Sequence, residues 1–192
     1  IRHVGGNAQI TTDPQAIASA CGLVIPGVGS FDACVRSLRA SGLLPGLEDA
    51  ALRARVPVLG VCVGMQMMGE GSEEGVEPGL GWIRATCRRF PADGSVKVPH
   101  MGWSVVAARE GSALFAHPGE DRRFYFVHSY HMVCRDEEDV EGLAHYGAPF
   151  VAAIARDNLM GVQFHPEKSH QHGMQLFRNF LQIANEGRAG PA

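Results

Sequence analysis

No run of about 18 or more uncharged apolar residues occurs in this chain, so no segment of it reads as a transmembrane helix. A charge excess of either sign is also lacking. Seventeen Lys and Arg stand against twenty Asp and Glu, for a net charge of −3 and no basic stripe of the kind that tracks a phosphate backbone. Neither a nucleic acid nor a membrane is therefore expected as a partner. Cysteine is sparse and irregular: Cys21, Cys34, Cys62, Cys87 and Cys134 are odd in number and show no CxxC spacing. That pattern argues against a disulfide framework and against a thiolate zinc site. A reducing cytoplasm is the compartment it fits, and no signal peptide is expected. His165, His170 and His172 do not form a metal set either, because Pro166 interrupts the helix that a four-residue gap would need. Repeats and low-complexity tracts are missing as well.

What is present suits an enzyme-sized core. The chain has 192 residues, 45% of them hydrophobic, and 24 glycines. One domain spanning 1–192 is expected. Compact apolar runs at 22–26, 56–61, 124–127, 150–156 and 160–164 read as strands, with a further short one at 8–12. Helical patterns occupy 31–38, 47–55, 64–68 and 170–185. The last of these sets Met174, Phe177, Phe180, Leu181 and Ala184 on one face as core. Shorter, antiparallel strands are expected over 82–106. Continuous rather than alternating apolar runs point to a doubly wound α/β fold, mostly parallel with a smaller antiparallel section. Ile1-Arg2-His3-Val4-Gly5-Gly6 reads as the last turn of a helix with a glycine stop.

Four cysteines lie in bland surroundings and read as small buried hydrophobes. Cys62 does not. It sits in Gly60-Val61-Cys62-Val63-Gly64, where an apolar strand meets a helix with small residues two before and two after. That is the pattern of a nucleophile elbow, whose sharp turn brings strand and helix backbones so close that a side chain at Gly60 or Gly64 would clash. It aims a helix N-terminus at the sulfur and turns the N–H of Val63 toward a developing oxyanion. Taken alone, the same pattern is also met in an ordinary turn holding a buried cysteine.

A cysteine nucleophile needs a base. Of nine histidines, His165 follows an apolar strand at its carboxyl end, in Phe164-His165-Pro166-Glu167. Pro166 ends the ladder, and in extended chain the spacing of two puts His165 and Glu167 on one side, where the carboxylate can hold the ring. A lone His-Pro-Glu is otherwise a surface turn. Its combination with the elbow is what points to a triad.

Three segments together, Pro26-Gly27-Val28-Gly29, Gly60-Val61-Cys62-Val63-Gly64-Met65-Gln66 and Phe164-His165-Pro166-Glu167, resemble the motifs of class I glutamine amidotransferases. Val98-Pro99-His100-Met101-Gly102-Trp103 and Tyr125-Phe126-Val127-His128-Ser129-Tyr130 carry the likeness further. They are similar to the glutaminase subunits of imidazole glycerol phosphate synthases, and the similarity runs through almost the whole chain. The resemblance implies a Cys62–His165–Glu167 triad that hydrolyses glutamine without a cofactor. It also implies a second oxyanion donor near Val28 and Gly29, with Gln66, Ser129 and Tyr130 binding the glutamine. The ammonia would pass to a (β/α)₈ cyclase subunit in a heterodimer for histidine biosynthesis, with Pro99, His100, Met101, Gly102 and Trp103 facing that partner. Trp103 alone reads equally well as core. Glutaminases of other synthases share the triad but should lack Pro-His-Met-Gly-Trp. The chain departs from the family pattern in three places. The opening strand and its Asp-Tyr-Gly-x-Gly-Asn loop are absent, so the first βα unit is expected to be missing and a sheet edge left open. Ser104 stands where asparagine is usual, and His131 where an aromatic residue is common.

Overall fold

Residues 58–62, Val-Leu-Gly-Val-Cys, are buried without exception, as a strand covered on both faces requires. In the computed structural model, which describes residues 1–91, 93–116 and 122–188, they form the middle of a parallel trio. The strands are β1 (Leu23–Gly27), β2 (Val58–Cys62), β3 (Gly71–Ser72), β4 (Ala85–Arg89), β5 (His100–Val105) and β6 (Ala107–Ala108). They continue with β7 (Arg123–His128), β8 (Tyr130–Cys134), β9 (Val140–Tyr146), β10 (Ala148–Arg156) and β11 (Leu159–Val162). The helices are α1 (Pro14–Ala18), α2 (Phe31–Ala40), α3 (Leu44–Glu48), α4 (Val63–Met67) and α5 (His170–Arg188).

The main sheet runs β1-β2-β11-β10-β9-β6. β1 and β11 flank β2 in parallel, and the rest of this sheet is antiparallel. β3-β4-β8 and β5-β7 form two smaller sheets beside it. The mixed α/β architecture agrees with the patterning, and the antiparallel parts lie on the far side from β1 and β2. Phe124, Phe126, Phe164 and Ile154 are among the largest fully buried side chains of the core. Phe177, Phe180 and Ala184 of α5 are buried as their spacing predicts, joined by Leu176.

Two expectations need correction, and one strand went unanticipated. Residues 8–12 form no strand: Ile10 is fully exposed, and one apolar side chain offers too little burial to order an edge. The segment instead ends at Asp13, whose carboxylate accepts the Gln15 N–H at 2.9 Å and caps α1. β9, by contrast, was not evident from sequence. Its Glu141 and His145 break the apolar pattern, although Glu141 is buried beside Arg109. Finally, the helix expected over 47–55 begins earlier, at α3, and widens over Asp49–Arg53. At the other end, Arg2–Val4 does make a short 3-10 turn closed by Gly5 at φ 91°.

Candidate active site

Parallel pairing puts the two chemical motifs side by side. β2 and β11 match Val61 with Val162, so the chain leaves both strands at the same carboxyl edge, one residue before Cys62 and three before His165. Such an edge is where ligands of open α/β sheets bind.

Cys62 has φ 55° and ψ −116°, a strained conformation for a residue with a Cβ, and only 5% of it is exposed. The close approaches expected at the elbow are present, and their partners are specific. A Cβ on Gly60 would lie 2.7 Å from the backbone N and Cα of Met65 in α4. One on Gly64 would lie 1.9 Å from the carbonyl oxygen of Ile25, so the clash there is with the neighbouring strand β1. Gly27 completes the contact, since its Cβ would sit 2.3 Å from the Gly64 nitrogen. Three glycines thus let α4 lie directly on the backbones of β1 and β2.

The same contact draws the Pro26-to-Gly29 turn up to Cys62, because Gly27 is in register with it. Val28 is exposed and Gly29 adopts φ 102°. Val63 is the first residue of α4, so its N–H has no acceptor within the helix. Cys34, read from sequence as mere packing, donates its thiol to the Val28 carbonyl at 3.4 Å and ties this turn to α2. The start of α2 is itself fixed by Glu74, whose carboxylate accepts the Phe31 N–H at 2.8 Å.

His165 is 4% exposed, and its Nδ1 lies 2.7 Å from Glu167 Oε1. The pairing arises differently from the extended spacing inferred above. Pro166–Lys168 form a 3-10 turn, which swings the carboxylate back onto the ring. Gly173 permits that turn, since a Cβ there would meet the Pro166 carbonyl oxygen at 1.8 Å. The His165 N–H donates to the Tyr125 carbonyl at 2.9 Å. Ser169, fully buried, donates to the His165 carbonyl at 2.6 Å and accepts the Tyr125 N–H at 3.0 Å. Hydrogen bonds to the Cys62 side chain and then to Glu167 raise the His165 pKa from the ordinary 6.5 to about 9, against the opposing effect of burial. Glu167 is lowered in turn: desolvation, the largest single effect, pushes it up, but the bond to His165, a backbone hydrogen bond and the nearby His165 and Lys168 charges together outweigh it.

That shift has a testable sign. A folded-state value above the free one means the protonated ring stabilises the fold fully below about pH 6.5, and this contribution disappears as pH rises through about 9. Glu167→Gln is expected to move the His165 midpoint, read by NMR titration of the ring, down from about 9 toward 6.5. The gap in thermal midpoint between wild type and variant should close as pH passes that range. An unmoved midpoint would show that the carboxylate does not hold the ring.

Gln66 is 3% exposed, and both of its amide N–H groups are used. Nε2 donates to the Tyr130 carbonyl at 3.0 Å and to Gln163 Oε1 at 2.9 Å. These contacts leave its own Oε1, an acceptor, unused. Gln163, which sequence reasoning passed over, is fully buried, and its Nε2 faces Cys62 Sγ at 3.8 Å. The only signal for it was a glutamine ending an apolar strand. Around the turn between β7 and β8, the Ser129 carbonyl accepts the Phe90 N–H at 3.0 Å. The Ser129 and Tyr130 carbonyls both have protein donors, which leaves other groups of these residues for a ligand.

The five residues from Pro99 to Trp103 do not share one face. Along β5, Met101, Trp103 and Val105 point outward with 63%, 47% and 42% exposure, whereas His100 turns inward with 3%. The period of two in a strand forces this division, so His100 cannot present its ring at an outer face. Trp103 stacks on His170, with ring centroids 5.3 Å apart.

A sulfur at a strained elbow, a histidine engaging it, a carboxylate on that histidine and a glycine turn alongside can together attack and stabilise an acyl carbon. The comparisons with known proteins agree with this chemistry. The family model for glutamine amidotransferase class-I matches residues 7–184. Imidazole glycerol phosphate synthase subunit HisH 2 of Pseudomonas aeruginosa is 48% identical over 183 residues, covering 95% of this chain and 91% of that protein. The subunit of the same name from Methanococcus maripaludis is 42% identical over 184 residues, covering 96% and 91%. Among solved structures, a putative GMP synthase subunit from Thermoplasma acidophilum superposes with a TM-score of 0.73 over 98% of this chain and 86% of that one. At 21% identity it speaks for the fold alone. The chain belongs to the class I glutamine amidotransferases, among the HisH subunits of imidazole glycerol phosphate synthase.

Proposed function

We propose that this chain hydrolyses L-glutamine to glutamate and ammonia through a thioester on Cys62. We propose further that it delivers the ammonia to a (β/α)₈ cyclase subunit that makes imidazole glycerol phosphate for histidine biosynthesis. The observation that carries the reading is the elbow cysteine engaged by a histidine whose other contact is a carboxylate 2.7 Å away. The Cys62 sulfur attacks the side-chain amide carbon of glutamine, with its proton on His165. The oxyanion is held by the Val63 N–H and by a backbone N–H of the Val28-Gly29 turn, each such donor contributing roughly 3 kcal/mol in the transition state. His165 gives its proton to the departing ammonia and then activates the water that frees glutamate. Gln66 accepts a hydrogen bond from the substrate, and Ser129 and Tyr130 border its amino-acid end. No cofactor takes part.

The exposed Met101–Trp103–Val105 stripe supports a partner surface at β5, since such apolar anchors commonly carry interfaces. Pro99 and Gly102 shape the same strand. The test is glutamate release from glutamine by the purified chain, alone and with the cyclase subunit plus its nucleotide ligand. Stimulation of at least about tenfold is expected, the scale of a typical coupling free energy between sites. Release that is present but indifferent to the partner would remove the pathway assignment. Absence of release in both conditions would remove the enzymatic one.

A further inference from the structure

His100 and His128 belong to no step of this chemistry, yet both are buried, with 3% and 6% exposure. They face each other across the β5·β7 pair, where they are direct register partners. Aromatic rings enclose them: Phe90, Phe126 and Phe150 lie 5.2, 5.6 and 5.3 Å from His128. Tyr146 stacks on His100 at 4.1 Å. Two imidazoles in an apolar box are costly unless their nitrogens are satisfied, and here they are satisfied in sequence.

His128 Nδ1 lies 2.8 Å from the Tyr130 carbonyl. A carbonyl only accepts, so Nδ1 carries the proton. Burial holds His128 neutral, with its pKa lowered to about 3, so its Nε2 is an acceptor. That nitrogen faces His100 Nδ1 at 3.4 Å, which must donate. His100, also lowered by burial, then offers Nε2 to the Ser104 hydroxyl at 3.1 Å. Polarity thus runs one way, from Ser104 through His100 and His128 to the Tyr130 carbonyl. The same carbonyl receives Gln66 Nε2, and Gln66 leads through Gln163 to the Cys62 sulfur.

We propose that His100 and His128 are positioning residues that fix the Tyr130 carbonyl, and through it the Gln66 amide, for glutamine binding, along a directional hydrogen-bond chain that starts beside the exposed stripe of β5. The proposal rests on the reading of Gln66 as a glutamine contact. Without the His128 donor, the Tyr130 carbonyl loses one of its two side-chain partners, and the Gln66 amide that shares this carbonyl is held less firmly with its Oε1 turned to the substrate.

Two substitutions separate this role from packing. His128→Phe fills the aromatic box but removes the donor. His128→Asn leaves a void in the box but places an amide N–H where Nδ1 was. If positioning is the role, His128→Phe still folds, with its thermal midpoint lowered modestly by the His100 N–H left without an acceptor, raises KM for glutamine by about tenfold with little change in kcat, and His128→Asn recovers most of the KM loss. A packing role predicts the reverse order, with Asn the worse variant. Wild-type KM in His128→Phe would overturn the proposal, whereas an inactive wild type would instead strike at the glutaminase reading. One measurement is independent of activity. Nitrogen-15 NMR of the imidazoles at neutral pH should show both rings neutral and protonated at Nδ1, and an Nε2–H form of either ring would also overturn it.

Discussion

Replacing Cys62 with alanine is expected to lower glutamine hydrolysis by roughly 10⁵-fold or more, the scale seen when the nucleophile of a triad is removed. The size follows from what the residue alone supplies. Among the described residues, Cys62 is the one at the elbow whose sulfur engages His165, and no neighbouring nucleophile stands ready to take its place. Cys34, the cysteine tied to the adjacent turn, points its thiol at the Val28 carbonyl and is raised by burial, which keeps it protonated. The fold should survive the change, because the strained φ of 55° is imposed by the backbones of β1, β2 and α4 rather than by the thiol. Glutamate release and a thermal melt, measured together, check both parts. Folded protein with wild-type turnover would refute the assignment of Cys62 as nucleophile. The companion Glu167→Gln should cost less activity, since an orienting carboxylate acts only through the ring it holds.

Why the grouping of Cys62, His165 and Glu167 was readable in sequence, and much of what surrounds it was not, comes down to distance along the chain. The elbow is a local requirement: a buried strand, a small residue on each side of Cys62, and a helix immediately after. His165 and Glu167 are two residues apart, so one short motif carries both. Their convergence with Cys62 followed from the rule that parallel strands open at one edge, and β2 and β11 are adjacent as that rule needs. Beyond its place at the end of an apolar run, nothing local marks Gln163. Its meaning depends on Gln66, 97 residues earlier, and on a strand pairing that no periodicity reveals. Ser169 likewise matters only because the chain from Tyr125 to His165 forms a bridge. His100 and His128 were visible as motif residues, but whether each faced outward or inward depended on the register of β5 with β7. The extended spacing argument for Glu167 led to the right pair through the wrong backbone, since it is the turn after Pro166 that closes the contact. Local steric rules therefore located the elbow at Cys62, and the residues that hold its neighbours in place became visible only with long-range pairing.

Gly64→Ala should damage both stability and activity, and for a purely steric reason. The added methyl would sit 1.9 Å from the Ile25 carbonyl oxygen and 2.9 Å from its carbon. Both atoms belong to the middle of β1, where Ile25 is paired with Gly60 of β2, so no flexible side chain can move aside. Relief requires α4 to lift from the sheet, and α4 begins at Val63, directly after Cys62. Overpacking of this kind is expected to cost about 3 kcal/mol or more, which lowers the melting temperature of a chain this size by roughly 10 °C. A shift of about 1 Å in the elbow should also reduce turnover by on the order of 10²-fold even in molecules that remain folded. Gly46→Ala is the matched control. It lies in α3, where an added methyl would meet nothing within 4 Å, and alanine favours a helix over glycine by about 1 kcal/mol. That variant should melt at or slightly above the wild-type temperature and hydrolyse glutamine normally. If Gly64→Ala behaved like Gly46→Ala in both assays, the close approach of α4 to β1 would not be what shapes the elbow. If it melted early yet kept full turnover per folded molecule, the approach would serve stability alone.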